Sequence, residues 1–414
     1  MKTSTWIVVL VLLIGMAIPA IGQDSLNVSR IARLPLGDLA QAVAVQGNYA
    51  YVANDAVGLS VFDISNPAAP AEVGVFDTLV WAFGVAVSGN YAYVTDYVRG
   101  LWIVDVSNPT APAEMGFCFI SSHAFDVAVS GNIAYVVDGG LRIVDVTNPA
   151  TPTEVGYDTV GSAYAVAVSG NYAYVADYGG GLRIVDVSNP AAPREAGFYD
   201  TPGHAVGVSL SGNYAYVVDD SSGLRIVDVS NPAAPTEVGF YNSPGSERGV
   251  SVSGNHAYIA DGNGGLRIVN VANPAAPTEV GFYVTPGYAQ AIADAGQFAY
   301  VIDDNSFGIY DCSQAIRLSA NPSFVPQPSS FILSAAPNPF NPSTQIRFDL
   351  PQRAHVDLQV FDLQGRLVQT LTSRVFPGGS HTLLWDGTPF ASGTYFARLS
   401  TPQHTTTQKL LLLK

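Results

Sequence analysis

Lysine is all but missing from this chain: Lys2, Lys409 and Lys414 are the only three in 414 residues. Charge of either sign is scarce, at 12% of residues, and the net balance is −15. A surface so poor in cations displaces few counterions from nucleic acid, and an anionic membrane surface would repel it. Nucleic acid is therefore not an expected partner. Only two cysteines occur, Cys118 and Cys312, at different positions of non-neighbouring repeats. Neither a disulfide nor a metal-ligand spacing follows from them, and they read as small, partly buried apolar residues. Helical periodicity is also missing from the central region, which leaves strands and turns.

The one long apolar run lies at the N-terminus. Lys2 precedes Trp6 to Ile18, interrupted only by Gly15, and Pro19-Ala20-Ile21-Gly22 follows. A short positive segment, an apolar segment and small residues make a secretory signal. Residues 1–22 are expected to be a signal peptide cleaved near Gly22/Gln23. The alternative, a permanent anchor, is disfavoured because the run is short for a span and no basic stop-transfer segment follows.

Repetition is what the chain has in abundance. Gly47-Asn48-Tyr49-Ala50-Tyr51-Val52 returns, with small changes, at Gly89, Gly131, Gly170, Gly212, Gly254 and Gly296. The starts are 42 residues apart except for one step of 39. A period in the low forties built of strands and turns marks a β-propeller blade. In the fifth copy, residues 204–210, Tyr214 to Val218, Leu224 to Val229 and Thr236 to Tyr241 read as four strands separated by turns. Copy seven stops after its third strand, Phe307 to Asp311, whereas an orphan strand, Arg30 to Leu34, precedes copy one. The orphan is expected to complete the last blade and so remove an exposed edge. The expected fold is all-β, a seven-bladed β-propeller over residues 23–316.

The third strand carries a resemblance. Leu141 to Val146 (Leu-Arg-Ile-Val-Asp-Val), Leu182 to Val187 and Leu224 to Val229 resemble the LVIVD repeat of bacterial secreted and surface proteins. The likeness covers residues 29–312, and every copy but the last carries the Asn-Pro that follows. It implies the propeller fold and says little about chemistry.

Two acidic positions recur. Asp96, Asp138, Asp177, Asp219, Asp261 and Asp303 follow the second strand, with Asn54 in copy one. They are expected to be structural turn carboxylates that accept backbone N–H groups. A cation-binding ring is the alternative, since Ca²⁺ needs several converging oxygens. The second position, Asp63 and its equivalents on the third strand, is expected to tie down the Ser-Asn-Pro turn.

A scaffold holds its frame constant and varies its working surface. At the entry to the first strand stand Leu39, Trp81, His123, Ser162, His204, Ser246 and Tyr288; two residues later stand Gln41, Phe83, Phe125, Tyr164, Val206, Arg248 and Gln290. These positions are expected around one mouth of the central channel. Trp81, Phe83, His123, Phe125, Tyr164, His204, Arg248 and Tyr288 are the candidate binding residues, a set suited to glycan or protein contacts. The alternative is that they plug the channel. His123 and His204 with Arg248 or Tyr288 form a conceivable acid–base pair, but no nucleophile motif, phosphate loop or metal spacing accompanies them. No catalytic residue, cofactor or metal is assigned.

From Arg317 the repeat ends, and residues 317–332, rich in Pro and Ser, read as a linker. Beyond it, Pro337-Asn338-Pro339-Phe340-Asn341-Pro342, Val360-Phe361-Asp362 with Gly365-Arg366, Trp385-Asp386-Gly387, Ser392 to Phe396 and Lys409 to Lys414 recur in a known module. Residues 333–414 resemble the type A C-terminal sorting domain of type IX secretion, related to the Ig-like domain of the flagellar hook-capping protein. The resemblance implies a small β-sandwich, contact with the secretion and sorting machinery, and release or attachment at the outer cell surface. An ordinary Ig-like domain that stays attached is the alternative. The chain is thus expected to be a secreted or surface monomer acting as a non-catalytic binding or adhesion module. An extracellular lyase or hydrolase, or a structural envelope protein, are the alternatives.

Overall fold

The computed structural model describes residues 24–120, 123–319, 332–350, 354–376, 379–401 and 405–414. The expected signal peptide and most of the expected linker lie outside these residues. Two compact units are present, divided between residues 326 and 327.

The first unit is a closed ring of seven antiparallel sheets. Blade one shows the plan: Ala42–Gln46, Tyr49–Asn54, Gly58–Asp63 and Ala71–Phe76, from the axis outwards. The Gly-Asn turn joins the first two strands, and Gly47 adopts φ +61°, a conformation that costs glycine little. The Asn48 carbonyl then accepts the Ile64 N–H at 2.8 Å, an arrangement repeated at Asn90, Asn132, Asn171, Asn213 and Asn255. Third-strand Asp63 accepts the Ser65 N–H at 2.8 Å, and Asp105, Asp145, Asp186 and Asp228 do likewise. These bonds hold their carboxyls below the usual range, first through Ser or Thr two residues on.

The core lies between blades. Tyr51 and Val61 of blade one pack with Val94 and Trp102 of blade two, and Phe62 meets Phe307 of blade seven at 5.0 Å between ring centroids. Fourth-strand glycines let each of blades one to five seat on the Asn-Pro turn of the next: a Cβ on Gly156 would fall 1.9 Å from the Pro190 carbonyl oxygen.

Closure follows the expected route. Ser29–Pro35 pairs antiparallel with Ser306–Asp311 as the fourth strand of blade seven. In blades three to six an arginine of the third strand ion-pairs with the carboxylate that follows the second strand. Blade seven has Gly308 at that place, and Arg33 lies opposite it and reaches Asp303 at 3.0 Å. The closing strand thus returns the charge that the seventh copy lacks.

Two elements differ from expectation. Ser25–Leu26 adds a fifth strand at the outer edge of blade six. A helix, Ser313–Ser319, occupies a region where no helix was expected and runs past residue 317, where a linker was expected to begin. It occupies the place of the missing Asn-Pro turn: Ala315 stands against Gly281 as the turn prolines stand against the other fourth-strand glycines. Asp311 starts it by accepting the Ser313 N–H at 2.8 Å.

The second unit stacks a three-stranded sheet (Ile332–Ala336, Ser343–Leu350, Gly379–Asp386) on a four-stranded one (Leu367–Phe376, Ala354–Phe361, Gly393–Ser400, Thr405–Leu412). Both sheets feed one core around Trp385, Phe348, Leu358 and Tyr395. Asn338 donates to the Lys409 carbonyl at 2.7 Å and accepts the Leu411 N–H at 2.8 Å, which fastens the Pro-Asn-Pro entry segment to the last strand.

Because Asp303 is 1% exposed, removing its cation leaves a buried charge. Arg33→Ala should cost roughly 2–4 kcal/mol in denaturant unfolding, whereas Arg30→Ala, which removes a looser contact over Tyr283 at 5.9 Å, should cost under about 1 kcal/mol.

Candidate functional site: the channel mouth

The seven first strands pack side by side around the axis, each against both neighbours, and the seventh meets the first. They enclose a cavity of about 520 Å³. Its wall includes the whole second set of variable residues: Gln41, Phe83, Phe125, Tyr164, Val206, Arg248 and Gln290. From the entry set, only Tyr288 joins the wall. Trp81, His123 and His204 stand outside it as an outer rim and are exposed. The expected mouth is therefore two tiers, a wall and a rim.

The loops between second and third strands knit this face together. The backbone of Asp55 bridges to Ala82, that of Tyr178 to Ala205 and that of Gly262 to Ala289, each at the entry of the following blade. This places Tyr97 and Tyr178 beside the rim, where they link it to the wall. Tyr97 touches Trp81, Phe83, His123 and Phe125 at centroid distances of 5.7, 5.6, 4.3 and 5.6 Å. Phe125 stacks on Tyr164 at 5.0 Å, Tyr164 on Tyr178 at 5.2 Å, and Tyr178 on His204 at 4.1 Å. The result is an unbroken aromatic arc over blades two to five. Its upper faces are open, with Trp81 47% and Tyr164 40% exposed.

The opposite arc is polar. Arg248 donates to the Tyr288 hydroxyl at 2.9 Å and lies over its ring, while Gln290 and Gln41 continue the wall. His123 and His204, conceived as an acid–base pair, each pack against a different tyrosine, His123 tilted against Tyr97 and His204 stacked on Tyr178.

The carboxylates after the second strand are buried beneath this face. Asp96 accepts the Val80 N–H at 2.8 Å, Asp177 the Ser162 N–H at 2.5 Å, Asp219 the Gly203 N–H at 2.7 Å and Asp261 the Gly245 N–H at 3.1 Å. Each donor lies in the segment arriving from the previous blade, so these acids hold the approach to the mouth. Asp138 and Asp177 also receive Arg142 and Arg183, which continue to Glu154 and Glu195 on the fourth strand. Asp303 instead takes Arg33. Except for Asp303 Oδ2, which has no partner, their oxygens accept hydrogen bonds or ion pairs, and among the described residues no group of three His, Cys, Asp or Glu is placed to hold a metal ion.

Two further residues break the repeat at or beneath this face and were not among those expected. Five residues before the turn glycine, six copies hold Gly or Ala, but copy three holds Asp126, which lines the cavity. Its carboxylate accepts the Val166 N–H of the next blade at 3.0 Å, and burial pushes its carboxyl up to about 6. Seven residues before the glycine, six copies hold Ala and copy six holds Glu247. Glu247 is 0% exposed, and neither carboxylate oxygen has a hydrogen-bond partner. The Ser243 hydroxyl beside it donates to Asp261 instead, at 2.6 Å. Burial, and then the nearby Asp261 and Asp219, raise its carboxyl well above the usual range. Aligning the seven copies column by column exposes both exceptions.

These features define a closed seven-bladed β-propeller with one asymmetric axial cavity and a separate sandwich module. LVIVD repeats are matched at residues 37–78, 81–119, 121–159, 160–201, 202–243, 244–285 and 286–323, more than half of the chain, which therefore belongs to the LVIVD repeat family. Residues 334–413 match the secretion system C-terminal sorting domain. The protein is accordingly secreted or displayed at the cell surface and meets the type IX secretion machinery through that module. Among solved structures, the β-propeller domain of Cps50 (Swd1) from Myceliophteria thermophila is similar at 12% identity and TM-score 0.57, over 69% of this chain and 99% of that one. The computationally designed Ika8 protein is similar at 10% identity and TM-score 0.51, over 86% and 99%. Likeness at these identities concerns the fold alone. No curated protein matches the chain.

Glu247 generates a pH prediction. Its folded-state pKa lies above the unfolded one, so the native protein holds a proton that the unfolded chain has released, and stability falls as pH rises above about 4.5. Glu247→Gln should be nearly neutral in thermal unfolding near pH 4.5 and stabilising near pH 8. A constant difference across that range would contradict the assignment.

Proposed function

We propose that the propeller is a non-catalytic binding module, delivered to the outside by its C-terminal domain, with its ligand site at the channel mouth. One observation carries this: seven nearly identical blades surround a cavity whose wall and rim do not repeat. Frame positions such as Tyr51, Tyr93 and Tyr135 are uniform and buried, whereas the wall runs from Phe83 and Tyr164 to Arg248 and Gln290. Aromatic faces backed by their own stacking offer large contact area without ordering on binding. His123 and His204, each against its own tyrosine, supply recognition surface in this reading. The C-terminal unit is proposed to be an Ig-like sorting module of the hook-capping type.

Arrays of glycans and of polypeptides, probed with the full secreted chain, should retain a ligand. Tyr164→Ala should weaken it by roughly tenfold or more, while Val75→Ala, exposed on an outer strand, leaves it unchanged. Equal binding by both variants would move the site away from the mouth. Deleting residues 333–414 should leave the propeller behind the outer membrane in cell fractionation; continued surface delivery would refute the sorting role.

A further inference from the structure

We propose that the axial channel receives a lysine or arginine side chain of a basic polypeptide, its cationic head on the Asp126 carboxylate and its stem between aromatic rings. The inference rests on the mouth being a binding site, and names the class of ligand.

Among the described residues, Asp126 is the only carboxylate in the cavity wall. Its six sister positions carry no side chain or a single methyl, so nothing in the fold requires an acid there. It is held by backbone N–H groups, those of Val166 and Val127, and among the described residues no Lys or Arg ion-pairs with it. An acid held this way lacks a cation.

The walls beside it suit that cation. Phe125 adjoins Asp126 in sequence, and Phe83 and Tyr164 flank Phe125 at 5.6 and 5.0 Å. Aromatic faces attract ammonium and guanidinium groups, more strongly where water is excluded. Arg248, among the described residues the one cation of the wall, donates to the Tyr288 hydroxyl and lies in the field of Asp220.

The rim extends the same sign. Loops between second and third strands present Asp220 and Asp304 on the arc away from the aromatics and Asp55 at the Trp81 end of the aromatic arc, where Arg99 also stands. Carboxylates around the mouth with one in its wall suit a chain that inserts one basic side chain and lays others across the rim. A net charge of −15 would speed such an encounter. An acidic ligand would meet Arg99 and Arg248, the latter tied to the Tyr288 hydroxyl, and little else.

Calorimetric titration of the full secreted chain with oligoarginine, oligoglutamate and a chitosan oligomer tests this. Oligoarginine should bind and oligoglutamate should not. Asp126→Asn and Asp126→Ala should each weaken oligoarginine by roughly tenfold or more; Ala at this position keeps the fold, being what Ala42, Ala165 and Ala291 already supply. Asp357→Asn, the same charge change on the C-terminal unit, should leave affinity unchanged, and an equal loss there would reduce the effect to bulk charge and overturn the proposal. Absence of oligoarginine binding, or binding that ignores Asp126, overturns it as well. Binding of chitosan or a neutral glycan that depends on Tyr164 but not Asp126 would sink the ligand class and leave the mouth as a site. Oligoarginine affinity untouched by both Asp126→Ala and Tyr164→Ala would sink the two together.

Discussion

Seven first strands meet at one axis, and the space between neighbours admits a methyl group or less. Ala40, Ala82, Ala124, Ala163, Ala205 and Ala289 are wholly buried at one level. A Cβ on Gly84 would lie 2.8 Å from the Cα of Asp126 in the next blade. Much else follows from this crowding. It forces small residues onto the strand interior, pushes every large variable side chain up to the mouth, and leaves room for the larger Tyr and Val of the second strands to fill the layers between blades. Where the ladder is broken, by Asp126 and Glu247, a polar group is set into a place the fold could have filled with alanine. Such departures from a locally consistent pattern concentrate at functional sites.

A protein with few charges spends them in one repeated device. Asp after the second strand, Arg on the third and Glu on the fourth run outward along each of blades three to six, with the guanidinium over an aromatic ring. The inner Asp also holds the chain arriving from the previous blade, so blade position and mouth shape share one anchor. At blade five this device is looser: Arg225 stands 4.0 Å from Asp219, and Arg225 Nη2 donates to the Ser222 carbonyl. The buried acid Glu247 lies just beyond. Disturbance of the frame and departure from the repeat thus fall at the same blade junction, below Arg248.

Much of this was legible in the chain. The period, the Gly-Asn turn and the orphan Arg30 to Leu34 strand were enough for blade number and closure, because each depends on local turn chemistry and edge pairing. The wall residues Gln41, Phe83, Phe125, Tyr164, Val206, Arg248 and Gln290 could be picked out as one column of the repeat. The helix Ser313–Ser319 was not legible: its seven residues carry too weak a periodic signal, and packing against Gly281 in blade six selects it. Nor was the division between wall and rim, since two columns only two residues apart face the same mouth.

The sequence by itself determined the frame, for a strand-and-turn unit repeated seven times must stack around an axis to bury its apolar faces. Only the tertiary structure decided which varied residues touch. Phe83, Tyr97, Phe125, Tyr164, Tyr178 and His204 come from four blades, and their contact depends on blade twist and on loops that bridge to the next blade. Asp126 looks like any strand-end acid in the chain. Its place at the channel wall exists only once seven first strands have closed the ring.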